Sequence, residues 1–393
     1  MTIESIIKPA SIMTGGTSAT QLIEAIQNLQ IANAFIMLSS KLSEDALLSI
    51  FPMLEKEQLP YQAYICDTGE PTFEQVRKAI DRAESKGCDG IVAIGGGSVI
   101  DLAKAVSVFI LNPEHSLMTL QHEQEIDRLP LIAIPTTAGS GSEGTKVMVI
   151  TDNETGIKCN PSHPSFVPDV AILDSYWTQK LPPAITAYTG LDALTHAIEA
   201  YVSTKANDFT DFYALQAIKK ITNALPDVYT KTTNQQAYED MLLGSLYAGI
   251  AFSNASTNLA HATGRALGAK FQIPHGLSVA LMHPFVMEYS LEAARDRYAE
   301  IAIALGHSPN LSKTDLAKRI LMLVRQYNRR FHIWEAGRQF IQIEDELDPY
   351  IQELTELTLL GNGIVTNRKE PSREDIEELF NQLFQIMVTD RIY

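Results

Sequence analysis

Short apolar, β-prone runs alternate with longer stretches of helical spacing through the first half of the chain, and the alternation stops near its middle. Phe35-Ile36-Met37-Leu38, Tyr61-Gln62-Ala63-Tyr64-Ile65, Gly90-Ile91-Val92-Ala93-Ile94 and Leu131-Ile132-Ala133-Ile134 predict buried parallel strands. Helical spacing falls between them, at about 43–58, 72–87 and 98–111, and Val147-Met148-Val149-Ile150 and Val170-Ala171-Ile172-Leu173 predict two later strands. A β-α-β order of this kind gives an open, mostly parallel, Rossmann-like sheet with helices on both faces. After Leu181-Pro182-Pro183 the strand signals end and long amphipathic helical patterns take over. The expectation is therefore an α/β domain over residues 1–183 and an all-α domain over residues 184–393.

At 393 residues the chain is long enough for two full cores, so composition agrees with that division. No run of apolar residues is long enough to span a bilayer, and the first residues carry neither a basic start nor an apolar core, so a cytoplasmic protein without a membrane partner is expected. Thirty-one basic against 47 acidic residues give a formal charge of −16, which repels phosphate backbones and argues against nucleic acid as a partner. Cys66, Cys88 and Cys159 have no C-x-x-C spacing, so neither a disulfide framework nor a thiolate zinc site is predicted.

Two places carry chemistry. Gly95-Gly96-Gly97-Ser98 follows a predicted strand and opens a predicted helix, so backbone amides and the positive end of the helix dipole converge without Cβ atoms in the way. That arrangement suits a pyrophosphate, although a tight turn alone would read the same. Asp192 and His196 lie one helical turn apart in a proline-free stretch, and His261 and His275 can complete a set of one carboxylate and three imidazoles. Such a set suits Fe(II), Zn, Co or Ni better than Ca or Mg. By itself the D-x-x-x-H pair is also the pattern of a solvated or hydrogen-bonded helix surface.

Taken with Gly95–Lys104 and Pro135–Glu143, in this order, these motifs make the chain resemble the iron-containing (group III) alcohol dehydrogenase family from about residue 10 to the end. The resemblance implies a dinucleotide-binding first domain, a metal-binding and substrate second domain, and hydride transfer between NAD or NADP and a primary alcohol or aldehyde held at a divalent metal. Fe(II) is the first choice of metal and Zn the second, with Asp192, His196, His261 and His275 as ligands and as catalytic residues together with Arg265. The family's GGGS-x-x-D-x-x-K signature implies cofactor contacts at Gly95, Gly96, Gly97, Ser98 and Asp101. It further implies contacts at Ser39, Thr136, Thr137, Ser140, Thr145 and His275, with Lys158 against the nicotinamide-side ribose.

Three departures from the family pattern bear on specificity. Leu38-Ser39-Ser40-Lys41 stands where many NAD-using relatives carry an aspartate that repels a 2′-phosphate, so NADP(H) is expected to be accepted at least comparably with NAD(H). Glu70 stands where relatives often have asparagine. Arg265 stands where relatives often have a histidine proposed as a proton relay, a role that an always-protonated guanidinium does not take over. One turn after His261, Arg265 either faces the substrate, favouring a small anionic aldehyde, or pairs with a nearby carboxylate. The partners expected are a small alcohol or aldehyde and further copies of the chain, as a homodimer or larger homo-oligomer. The competing readings are a dehydroquinate-synthase-like lyase, a glycerol-dehydrogenase-like member of the same architecture, and a catalytically silent cofactor-binding protein.

Overall fold

In the structure, a computed structural model describing residues 6–67, 69–153, 158–341, 347–361 and 363–389, the chain divides into two compact units, one spanning Ile7–Leu181 and the other running from Pro182. Strands β1 (Ser11–Thr14), β2 (Ala34–Ser39), β3 (Tyr61–Cys66), β4 (Gly90–Gly95), β5 (Leu131–Pro135), β6 (Ile150–Thr151), β7 (Lys158–Cys159) and β8 (Val170–Leu173) all belong to the first unit. Its helices are α1 (Ser18–Asn28), α2 (Ser43–Ser49), α3 (Phe51–Lys56), α4 (Phe73–Ser85), α5 (Gly97–Phe109), α6 (Leu117–Leu120) and α7 (Tyr176–Gln179).

Six strands form one sheet in the order β1-β8-β5-β4-β2-β3, every pairing parallel, with Ala34 in register with both Tyr61 and Gly90, and Ile91 with Leu131. Successive side chains of a strand point to opposite faces. Ile36, Leu38, Val92 and Ile94 therefore pack into the core beneath α1 and α3, while Phe35, Met37, Ile91 and Ala93 pack into the core beneath α4 and α5. Both faces are covered, which is why these strands read as unbroken apolar runs. The strand order reverses between β2 and β4, and in such sheets ligands bind beyond the carboxyl ends of the strands at that reversal. Ser39 and Gly95 are the last residues of those two strands.

Three details differ from the pattern. The edge strand β1 was not expected, because Ile12 and Met13 are its only apolar residues. The run 147–150 is not a strand of the main sheet: the Val149 amide donates to Asp101 Oδ2 at 2.9 Å, Val147 makes a single antiparallel bridge to Ser162, and Ile150–Thr151 pairs antiparallel with Lys158–Cys159. The helical stretch 43–58 breaks at Ile50 into α2 and α3, with Pro52 in the first turn of the second.

From Pro182 the described elements are all helices: α8 (Pro183–Val202), α9 (Asp208–Tyr229), α10 (Gln235–Ala255), α11 (Leu259–Phe271), α12 (His275–Tyr289), α13 (Arg295–Ala304), α14 (Lys313–Arg330), α15 (Ile333–Arg338), α16 (Leu347–Leu359) and α17 (Arg373–Thr389). Helix α8 is buried at every residue from Gly190 to Val202 and packs against α9, α10 and α12, so it is the central helix of this unit. Its carboxyl end is held by two cations. Arg297 donates to the Tyr201 carbonyl from Nε at 2.9 Å and Nη2 at 2.6 Å, and Arg368 Nε donates to the Val202 carbonyl at 2.8 Å. These bonds satisfy carbonyls that a helix end leaves unpaired and oppose the negative end of its dipole. No helix among the described residues is long and apolar enough to cross a membrane.

Candidate metal centre and cofactor turn

Asp192, His196 and Glu199 lie on one face of α8, at relative positions i, i+4 and i+7. His261 comes from the first turn of α11, and His275 is the first residue of α12. Donor atoms of Asp192, His261 and His275 all lie within 4.8 Å of one another. His261 Nε2 stands 3.5 Å and His275 Nε2 3.7 Å from Asp192 Oδ1. His196 stands beside this set, its ring stacked between Phe252 and His261 at centroid distances of 4.1 and 4.2 Å, with Nδ1 3.9 Å from Asp192 Oδ2.

Buried polar atoms need partners, and leaving one unpaired costs about 1–3 kcal/mol. Asp192 Oδ1, His196 Nδ1 and His261 Nε2 are buried and have no hydrogen-bond partner. All three are donors to a cation by chemical type, so the residues present fit a divalent metal at this point. The local electrostatics agree. Burial alone would raise the Asp192 carboxyl, but the imidazoles of His196, His275 and His261 outweigh it and hold the group well below the usual carboxylate range. Burial pushes His196 down to about 3, keeping it neutral and able to coordinate. Burial would also lower His261, yet the carboxylates of Glu199 and Asp192 drive it up to about 9, which marks its position as one built for positive charge. His275 is the member open to solvent, with 46% of its side chain exposed.

Sequence reasoning gives Glu199 no role. Its Oε2 accepts from His261 Nδ1 and from the Asn258 amide, each at 2.7 Å, and its Oε1 accepts from the Ala260 amide at 2.7 Å. The available signal was its place seven residues after Asp192 on a buried helix face. His283 is buried in α12 with Nδ1 2.9 Å from Thr195 Oγ1. His163 Nδ1 accepts from the Ser165 amide at 3.1 Å. Arg265 is largely buried one turn beyond His261; desolvation lowers its pKa and the Glu199 carboxylate opposes that shift. The nearby charge of Glu199 is compatible with the reading in which Arg265 answers a carboxylate of the protein itself.

The glycine turn lies where β4 meets α5. Gly96 caps the helix without any side chain taking its first amides, and Ser98 is exposed. A 13-residue helix with an uncapped amino terminus is a ready site for a phosphate. The second loop of the site, residues 136–145 after β5, packs directly on this turn: a Cβ at Gly97 would stand 2.7 Å from Ser140 Oγ, and one at Gly96 would stand 3.3 Å from Thr137 Oγ1. Thr136 is buried and its amide donates to the Gly95 carbonyl at 3.0 Å. Ser39 is half-buried at the end of β2, with no carboxylate at that place.

Asp101 and Thr145, expected at the cofactor, are instead bonded inward. Asp101 accepts from Ser142 and from the Val149 amide, and Thr145 Oγ1 accepts from Lys104 Nζ at 2.8 Å. Lys104 is fully buried and also donates to Ser142 Oγ at 3.0 Å and to the Val147 carbonyl at 2.6 Å. The aspartate and lysine of the signature thus tie the second loop to α5, because a buried ammonium needs several acceptors. Lys158 is on the short strand β7, with Nζ 2.7 Å from Glu70 Oε1, so the family-like lysine is paired with the residue that departs from the pattern.

Residues 9–175 match the family described as iron-containing alcohol dehydrogenase, and residues 186–384 match the carboxyl-terminal part of the Fe-containing alcohol dehydrogenase family. The chain belongs to the iron-containing alcohol dehydrogenase family. It is 41% identical over 299 residues to a probable alcohol dehydrogenase, EutG, of Escherichia coli (strain K12), covering 76% of each chain. It is 33% identical over 319 residues to an NADPH-dependent butanol dehydrogenase of Clostridium saccharobutylicum, covering 80% of this chain and 81% of the other. An alcohol dehydrogenase from Oenococcus oeni superposes with a TM-score of 0.89 at 28% identity, covering 97% of this chain and all of the other. Like the family, this iron-containing alcohol dehydrogenase is an NAD(P)-dependent oxidoreductase that interconverts alcohols and aldehydes. Neither the lyase nor the glycerol-dehydrogenase alternative is favoured by these relatives.

Proposed function

We propose that Asp192, His196, His261 and His275 hold one divalent cation, Fe(II) first and Zn second, and that the protein reduces short, uncharged primary aldehydes, or oxidises the corresponding alcohols. The observation that carries this reading is the set of buried, unpartnered donor atoms on Asp192, His196 and His261. The bound cation supplies Lewis acidity at the substrate oxygen, and the nicotinamide gives or takes the hydride.

The chain's own residues do the positioning. Asp192, His196 and His261 are buried and exclude water from one side of the site, whereas His275 is open and marks the side from which substrate arrives. In the other unit, Gly95, Gly96, Gly97 and Ser98 offer their amides to the cofactor pyrophosphate, with Thr136, Thr137 and Ser140 alongside and Ser39 at the ribose. Asp101 and Thr145 act by holding the second loop, and Lys158 reaches a ribose only by leaving Glu70. Residues 1–183 and 184–393 are thereby read as cofactor and metal domains. The Glu199 carboxylate near Arg265 supports reading that cation as one answered within the protein, and so a substrate without charge.

The reading extends to a cytoplasmic homodimer or larger homo-oligomer; Cys66, Cys88 and Cys159 form no disulfide, which agrees with a reducing compartment. Turnover of butanal and of a carboxylate-bearing aldehyde, each with NADH and NADPH, tests the proposal. Reduction of butanal is expected, and Arg265→Ala should change KM for both aldehydes alike. A KM rise of one to two orders of magnitude confined to the anionic aldehyde would assign Arg265 to substrate recognition, and no turnover of either would end the reading.

A further inference from the structure

We propose that Glu199 is a positioning residue for the metal centre: it fixes His261 in the tautomer whose Nε2 lone pair faces Asp192, and it holds the start of α11 where that lone pair is needed. The proposal rests on the metal reading given above.

Glu199 is 3% exposed, and its two carboxylate oxygens accept three bonds, from the amides of Asn258 and Ala260 and from His261 Nδ1, all at 2.7 Å. A helix cap needs only the amides. The third donor is the ring of a candidate ligand, and a neutral imidazole carries a single N–H. The nearby carboxylates favour a protonated ring in the metal-free protein, and a cation that binds it displaces one proton. A carboxylate only accepts, so the proton that stays is on Nδ1 and the lone pair falls on Nε2, the atom 3.5 Å from Asp192 Oδ1. Outer partners of this kind orient metal-binding histidines and raise their basicity.

The start of α11 is also held from two other directions. Asn258 Nδ2 donates to the Glu199 carbonyl at 2.8 Å, so side chain and backbone of one α8 residue grip the same asparagine. A Cβ at Gly363 would stand 2.4 Å from the Asn258 carbonyl oxygen, and Thr366 Oγ1 donates to the Thr257 carbonyl at 2.7 Å, so the segment 363–366 presses on the same turn. His261 therefore has little freedom to move with its helix, and its ring is fixed by Glu199.

Glu199→Gln keeps the shape but replaces one acceptor by an NH2 group that faces a donor. Zinc affinity, measured by chelator competition, should fall about 10- to 100-fold, and the visible spectrum of the Co(II)-loaded protein should change. A role confined to helix capping would lower the melting temperature of the metal-free protein and leave both readouts unmoved. His261→Ala is run in parallel. If the unsubstituted protein binds no zinc, the metal reading itself fails; if it binds zinc, loses it in His261→Ala and keeps unchanged affinity and Co(II) spectrum in Glu199→Gln, the role of Glu199 is overturned. Should Glu199→Gln not fold, the crystal structure of the zinc-loaded unsubstituted protein decides. Zinc on His261 Nε2 with Nδ1 bonded to Glu199 supports the proposal, and zinc on Nδ1 or on Glu199 itself refutes it.

Discussion

Gly276 lies so close to Tyr188 that a Cβ on it would stand 2.4 Å from the Tyr188 carbonyl oxygen and 3.3 Å from the Cβ of Asp192. The turn after His275 is thus pressed against α8, and only a residue without a side chain lets the imidazole of α12 approach the carboxylate of α8. Gly276→Ala should force the two helices apart, costing about 1–3 kcal/mol of stability and weakening metal binding through His275. Urea unfolding and zinc titration check both effects. Unchanged zinc affinity in a folded Gly276→Ala protein would show that the close approach does not set the position of His275.

A buried acid in the first unit sets a pH dependence. Glu143 is 1% exposed, its Oε1 has no partner, and burial pushes its pKa from 4.5 up to about 7 against the opposing effects of a backbone hydrogen bond and Lys104. Because the folded value is the higher one, the folded state binds the extra proton. The stabilisation is therefore present at low pH and is lost as pH rises from about 4.5 through about 7. Glu143→Gln should match the parent near pH 5 and exceed it by on the order of 1–3 kcal/mol near pH 8. Chemical denaturation at the two pH values measures this, and a stability difference that does not change with pH would contradict it.

Cofactor choice follows from the carboxyl end of β2. With Ser39 and Ser40 there and no carboxylate, nothing in that segment repels a 2′-phosphate, so NADPH should serve at least about as well as NADH. Ser39→Asp should shift the ratio of kcat/KM values toward NADH by about tenfold or more, about 1.4 kcal/mol. A parent enzyme that rejects NADPH by two orders of magnitude would place the 2′-hydroxyl elsewhere.

What could be read in the sequence was whatever repeats locally. The runs at 35–38 and 90–94 announced strands because both faces of the sheet are covered, and Asp192 and His196 announced a shared helix face because one turn separates them. Residues whose meaning depends on distant backbone were not legible. Glu199 acquires its role from the amides of Asn258 and Ala260, and Val149 leaves the sheet because its amide goes to Asp101. Arg265 occupies a helical position compatible with either a substrate or an internal carboxylate, because its spacing from His261 does not say which group its long side chain meets. Likewise Asp101 and Lys104 carry the family signature, but their task of tying one loop to one helix appears only when Ser142 and Thr145 are seen beside them.

The central claim is that catalysis depends on one divalent cation held by Asp192, His196, His261 and His275. Protein stripped of metal by a chelator should have no aldehyde reductase activity, and titration with Fe(II) or Zn should restore it with an endpoint near one equivalent per chain, whereas His261→Ala should neither bind the ion nor recover. Full turnover by protein shown by elemental analysis to hold no metal would contradict the account.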